Sequence, residues 1–175
     1  MPVFKLTNHI KHNKGLIDVI LLLVTIGTDQ TTKFLARELL QETKEICFSN
    51  CFIKFSLIEN HGGFLGVVNN LPETLRFFLL TICVSVLLLG CLFYLFNFSK
   101  KRDHYDLPLV FVAGGGMSNL LDRLLHNGGV TDFLSIGVGN VRTGIFNLAD
   151  VYILIGSFVL GFMLFSSPQN TAQSR

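Results

Sequence analysis

"FFLLTICVSVLLLGCLFYLFNF", residues 77–98, runs for 22 positions without one Asp, Glu, Lys or Arg. A helix needs about 20 mostly apolar residues to cross a bilayer, so this stretch reads as a spanning helix and decides the class of protein. The composition agrees. Of 175 residues, 50% are hydrophobic and only 15% charged, with 17 Phe and no Trp, whereas soluble domains carry about 25% charged residues. The net charge of +2 gives no basis for a nucleic-acid partner. No five-residue basic cluster, Gly-rich phosphate loop or zinc-ligand spacing occurs either.

Working outward, three further segments have the length and character to cross. The first, about 15–36, carries Asp18 and then Asp29, Gln30 and Lys33 near its end. Another, about 107–124, is softer, with Gly114, Gly115 and Gly116 in its middle and Asn119, Asp122 and Arg123 at its end. The last, about 146–166, opens on Asn147 and Asp150. The expected fold is therefore an all-α membrane protein: four transmembrane helices in one integral-membrane domain, 1–175. Lys5, Lys11 and Lys14 precede the first helix, and Lys100, Lys101 and Arg102 fill the turn before the third. By the positive-inside rule both places are cytoplasmic, which puts both termini inside and leaves external segments at about 37–76 and 125–145. No small-x-small cleavage site follows Ile26, so the first helix is expected to be an uncleaved anchor.

In the first external segment, "ICFSNCFIKFSLIEN" (46–60) alternates in part and predicts one or two strands at the membrane surface. Cys47 and Cys51 lie four apart within it. Along a strand that separation is about 13 Å, too far for a disulfide unless the chain turns. Cys83 and Cys91 read as small apolar residues of the second helix.

The polar groups within or beside the spans are Asp29, Gln30, Lys33, Asn119, Asp122, Arg123, Asp132, Asn147 and Asp150. Nearly all fall at one end of the helices. Asp29 and Lys33, like Asn119 and Arg123, are spaced i, i+4 and share a helix face. A lone rim carboxylate would most simply snorkel or cap, and an interhelical hydrogen-bond network could merely glue the bundle. An ionised Asp deep in a span costs roughly 2.5–3.5 kcal/mol, so several carboxylates gathered at one level invite a functional reading. Two neighbouring carboxylates in a poorly solvated site have their proton affinities pushed apart. One then serves as base to a water while the other donates to a carbonyl. Asp132 and Asp150 are the candidates for this aspartic-peptidase chemistry. An ion conduit is the competing reading, but it would spread polar residues through the bilayer depth, and 77–94 carries no ionisable group beyond Cys and Tyr.

Five blocks, "TDQTTK" (28–33), "ENHGGFLG" (59–66), "GGGMSNLLDR" (114–123), "GGVTDFL" (128–134) and "RTGIFNLAD" (142–150), together resemble the prolipoprotein signal peptidase family, also called signal peptidase II. The resemblance spans residues 28 to 150, in the family's order. It implies a bacterial inner-membrane aspartic endopeptidase with its site at the external face, acting as a monomer without metal or other cofactor. Its substrates would be lipid-modified prolipoproteins, cut before the diacylglyceryl cysteine. Asp132 and Asp150 match the catalytic pair. Asp29, Asn60, Asn119, Arg123 and Asn147 match positions that shape the site or hold substrate, although Arg123 could equally hold Asp122 in place. Ser118 stands where the family usually has Gly, and nine residues separate Arg123 from Asp132.

Overall fold

The computed structural model describes residues 3–40, 44–63, 68, 70–98 and 104–166, with side chains from Lys14 onward. The basic turn 100–102 and the side chains of Lys5 and Lys11, on which the expected orientation rests, lie outside the described residues.

Helix α1 (Val3–Leu39) is longer than the sequence pattern predicts. A second long helix is built from α2 (Glu73–Phe77), a π-helical stretch π1 (Phe78–Cys83), α3 (Val84–Phe93) and a second π-helical stretch π2 (Tyr94–Phe98). Helices α4 (Asp106–Leu125) and α5 (Leu148–Ser166) complete the bundle. Three of the four expected spans are long and apolar enough to cross a membrane: Lys14–Leu39, Glu73–Asn97 and Leu148–Ser166. The remaining helix, α4, has the length but carries Asp106, Asp122 and Arg123. It is the bundle's inner helix and packs against α1, α3 and α5.

The glycine run explains how α4 takes that place. A Cβ on Gly114 would lie 2.8 Å from Thr25 Cβ of α1, and one on Gly115 2.6 Å from the Ala149 carbonyl oxygen of α5. On Gly116 it would lie 2.7 Å from a Leu88 methyl of α3. Successive residues on a helix point about 100° apart, so three adjacent glycines admit three neighbours to close contact. Glycine costs a helix roughly 1 kcal/mol relative to alanine; close backbone approach is what small residues offer membrane helices in return.

The bundle is polar inside and apolar outside. Along α1 the buried positions are Lys14, Asp18, Leu22, Thr25, Asp29, Lys33 and Ala36, at helical three- and four-residue spacing. Leu16, Ile20, Leu23, Val24, Phe34 and Leu39 face outward, as do Leu154, Phe158 and Phe162 of α5. In lipid the outer apolar face costs nothing, and polar groups must be satisfied internally. Lys14, expected as a flanking charge, is instead buried, 3.5 Å from Asp18 and 3.2 Å from Asp106, and donates to the Leu95 carbonyl.

The β content exceeds the expectation. Strands β1 (Ile46–Phe48), β2 (Ile53–Asn60), β3 (Val130–Val138) and β4 (Val141–Arg142) form one antiparallel sheet in the order β1-β2-β3-β4. The sheet draws on both segments expected to be external, and Asp132 lies on the inner strand β3. Cys47 and Cys51 are joined, their Cα atoms 4.5 Å apart. The chain does turn between them: Ser49, Asn50 and Cys51 all have φ between 49° and 61°, and Phe52 N donates to Ser49 O. Arg142 clamps this turn by donating to the Cys51 and Phe52 carbonyls.

Gly115→Ala is expected to lower stability by about 1–3 kcal/mol through overpacking, because its neighbour is backbone. Gly90→Ala, where a Cβ meets nothing within 4 Å, is expected to be neutral or stabilising by up to about 1 kcal/mol. Thermal unfolding of both variants in detergent checks the contrast.

Candidate active site

Four elements converge at one end of the bundle: the last turns of α1 and α4, the start of α5, and the first half of β3. Helix α4 ends where Asn127 and Gly128 adopt positive φ and Gly128 N donates to Arg123 O. The chain reverses there and enters β3 at Val130. The nine-residue step from Arg123 to Asp132 is thus a helix stop, a turn and the start of a strand.

Lys33 sits at the centre of the network, 0% exposed. Its ammonium lies 2.7 Å from Asp29 Oδ2, 3.1 Å from Asp122 Oδ2 and 2.8 Å from Asn119 Oδ1. Three donors meet three acceptors, which is the full capacity of a lysine. Asp29, its i, i+4 partner as the spacing predicts, also accepts from Ser118 Oγ (2.7 Å) and from the Ala149 N–H at the head of α5 (2.8 Å). Asp122 accepts from Gln30 (2.9 Å) and from the Thr131 backbone N–H (3.0 Å), with Arg37 at 3.6 Å. Arg37 also bonds the Thr131 hydroxyl. One lysine therefore ties α1 to α4, while its two carboxylates reach on to α5 and β3.

Asn147 and Asp150 form a reciprocal cap at the start of α5. The Asp150 N–H donates to Asn147 Oδ1 (2.9 Å), and the Asn147 N–H donates to Asp150 Oδ2 (3.1 Å). This is the logic of a capping box. The Asn147 amide nitrogen then donates to Asp132 Oδ1 at 2.7 Å. Its one side chain thus contacts Asp132 directly and Asp150 through the backbone. Asn119 does the same from α4: Nδ2 donates to Asp150 Oδ1 (2.9 Å), and Oδ1 accepts from Lys33 and Asn147. Asn60, at the end of β2, donates to Asp132 Oδ2 at 2.8 Å and accepts from Gly62 N.

Of the seven residues singled out from the sequence, Asp29, Asn60, Asn119, Asp132, Asn147 and Asp150 join one continuous hydrogen-bonded network. Arg123 stands one step away and donates to Gly62 O at 3.3 Å. It does not hold Asp122, which is occupied by Lys33, Gln30 and Thr131, and it makes no hydrogen bond to Asn119 among the described residues. Gln30, Lys33 and Asp122 stand among the polar groups of the spans but not among the proposed site residues, and Arg37, Ser118 and Thr131 were not expected in the network, although Asp29, Lys33 and Arg37 recur every four residues along α1. Among the described residues no group of three His, Cys, Asp or Glu side chains is placed to hold a metal ion.

The charges are unevenly matched. Lys33 and Arg37 answer Asp29 and Asp122, whereas among the described residues neither Asp132 nor Asp150 forms a salt bridge. Their side-chain hydrogen bonds come from amides, while the charges of Lys33 and Arg123 reach them without a salt bridge. Asp132 is 3% exposed, and its carboxyl is pushed up to about 6. Burial is the main cause and the charge of Asp150 adds to it, against the hydrogen bonds from Asn60 and Asn147.

A model of the family described as Signal peptidase (SPase) II matches residues 21–166. The chain belongs to the signal peptidase II family. It is 33% identical over 152 residues to the lipoprotein signal peptidase of Maridesulfovibrio salexigens, covering 85% of this chain and 94% of that protein. It is 27% identical over 146 residues to that of Caldanaerobacter subterraneus, covering 83% and 94%. A solved structure described as a bacterial membrane enzyme shares the fold, with a TM-score of 0.76 at 19% identity over 91% of this chain and 93% of that one. The chain is thus a membrane protein of a peptidase family.

Two outcomes are expected. Lys33→Met leaves Asp29 and Asp122 buried without their shared cation and is expected to cost about 3–5 kcal/mol, read from thermal or denaturant unfolding in detergent. Asp132 holds its proton more tightly folded than unfolded, so its contribution to stability is present at pH 4 and lost as pH rises through about 6. The loss amounts to about 3 kcal/mol at full ionisation. Asp132→Asn is expected to remove that pH dependence and to compare most favourably with the parent protein at pH 8.

Proposed function

We propose that this chain is an aspartic endopeptidase of the bacterial inner membrane that removes signal peptides from diacylglyceryl-modified prolipoproteins, cutting before the lipidated cysteine. The observation that carries this reading is a carboxylate pair, Asp132 and Asp150, linked through Asn147 and Asn119 and bonded by amides instead of cations. Cationic partners would hold both groups ionised. Amide donors and burial leave room for the pair to share one proton, the state that acid–base peptide hydrolysis requires.

In the proposed reaction Asp132, as the neutral acid, hydrogen-bonds the scissile carbonyl oxygen and passes its proton to that oxygen as the water adds. Asp150, as the carboxylate, takes a proton from a water whose oxygen bonds to the carbonyl carbon. The tetrahedral intermediate collapses when the proton held by Asp150 passes to the leaving nitrogen. The peptide bond breaks, the new carboxyl regains its carbonyl, and Asp132 recovers its proton. Asn147 and Asn119 hold the two carboxyls in place throughout. Placement at the rim supports a lipid-anchored substrate: Asp29 lies toward one end of the span Lys14–Leu39, and Asp150 in the first turn of Leu148–Ser166. A signal helix lying alongside the bundle would present its cleavage point there. The positive-inside reading makes this the external face, with the chain acting as a monomer and needing no cofactor.

With a diacylglyceryl-modified prolipoprotein and purified enzyme in lipid, Asp132→Asn and Asp150→Asn are each expected to slow peptide release at least about a hundredfold while leaving helix content unchanged. Full activity in either variant sinks the pair assignment. Equal cleavage of the unlipidated precursor sinks the lipid selectivity.

A further inference from the structure

A second polar pocket adjoins the site and serves no role in the proposed reaction. It lies between α2, π1 and the turn after α4, with a volume of about 50 Å³, and Arg76, Thr81, Arg123, His61 and Glu73 are among its lining residues. A water needs only about 10–15 Å³ by this measure, so the space admits a group of several atoms. Thr81 is 3% exposed, and its Oγ1 has no hydrogen-bond partner among the described residues. A threonine inside a helix ordinarily donates back to a carbonyl one turn earlier. Here it lies in a π-helical turn, Phe78–Cys83, a distortion that recurs at functional sites. The buried Arg123 Nε is likewise unpartnered among the described residues. Arg76 and Arg123 both lack a salt bridge among the described residues, although Arg123 also feels the charges of Asp150, Asp132 and Asp122, and Glu73 is the one carboxylate among the residues lining the cavity.

An unsatisfied buried donor costs about 1–3 kcal/mol, and three groups seeking an acceptor at one place fit an oxyanion. Guanidinium pairs match tetrahedral phosphate oxygens in both charge and geometry. The place in the chain fits as well: Arg76 lies in the first turn of the span Glu73–Asn97, and headgroups flank the ends of a spanning helix. We propose that this pocket binds a phosphate oxyanion, supplied by a phospholipid headgroup or by free phosphate. The pocket communicates with the carboxylates by a short path. Arg123 donates to Gly62 O, Gly62 N donates to Asn60 Oδ1, and Asn60 donates to Asp132.

The test uses the full chain in a neutral maltoside detergent. It is titrated with inorganic phosphate, with dihexanoyl phosphatidylglycerol and with phosphate-free dihexanoylglycerol, at matched ionic strength, and the melting temperature is followed. At least one phosphate-bearing ligand is expected to raise it saturably, and dihexanoylglycerol is not. Arg76→Gln and Thr81→Val are each expected to weaken the apparent Kd about tenfold, the loss of one hydrogen bond to a charged group. Response to both phosphate ligands means that the phosphate group alone suffices; response to phosphatidylglycerol alone assigns the site to a headgroup. Thr81→Val removes an unpartnered hydroxyl at nearly constant volume, so the unliganded protein is expected to melt no lower, and this variant keeps the test open if Arg76→Gln folds poorly. No saturable shift, or an undiminished affinity in Thr81→Val, overturns the proposal.

Discussion

A lysine ammonium enclosed among Asp29, Asp122 and Asn119 is the interaction on which the rest depends. A buried ion is costly unless its partners are complete, and Lys33 uses all three of its protons. Each acceptor is itself fastened elsewhere: Asp29 to the head of α5, Asp122 to the first residues of β3, Asn119 to Asp150. The lysine therefore sets the relative position of three helices and one strand by electrostatics. In a bundle whose outer surface is wetted by lipid, apolar burial does little of that work. The hydrophobic effect brings such helices into the membrane but offers little to arrange them once there. Close glycine contacts and polar satisfaction take over, and in this chain both reside largely on α4.

That division accounts for what could be read from the sequence. Apolar runs such as 77–98 carry the spans openly because lipid selects for length and hydropathy alone. The site was legible for the same reason in reverse: Asp29, Asn119, Asp132, Asn147 and Asp150 stood out because polar groups are expensive where they stand. Six of the seven residues singled out fall into one network. Helix α4 was harder to place, since a helix walled by other helices needs neither high hydropathy nor an apolar exterior. Its glycines and charges mark it as the inner member only once its neighbours are known.

Long-range pairing and local turns hid the remainder. Strand β3 is polar and apolar by turns, and the β2 partner that completes it is some seventy residues earlier, so no local pattern joins Asn60 to Asp132. The Cys47–Cys51 bridge depends on three successive residues at positive φ, none of them glycine, held by Arg142 from the far side of the sheet. Sequence proximity could not place Arg123: Asp122 beside it points into the lysine network, while Arg123, about 100° further round the helix, donates to Gly62 O and lines the second pocket. Lys14 looked like a flanking charge because the positive-inside rule counts residues without asking whether they are buried.

The contrast between two groups of carboxylates closes the physical account. Asp29 and Asp122 are paired with one cation, Lys33; they build the frame. Asp132 and Asp150 sit in contact with that frame through Asn119 and Asn147, yet the cation stops one residue short of them. Asparagine is suited to this boundary. Its amide can donate to a carboxylate while its oxygen accepts from an ammonium or a backbone N–H, so it transmits position without transmitting a full charge. Replacing either relay by lysine would ionise the pair, and replacing it by leucine would release it. An amide layer between a charged frame and an acid pair thus holds two carboxyls in place without a salt bridge to either among the described residues.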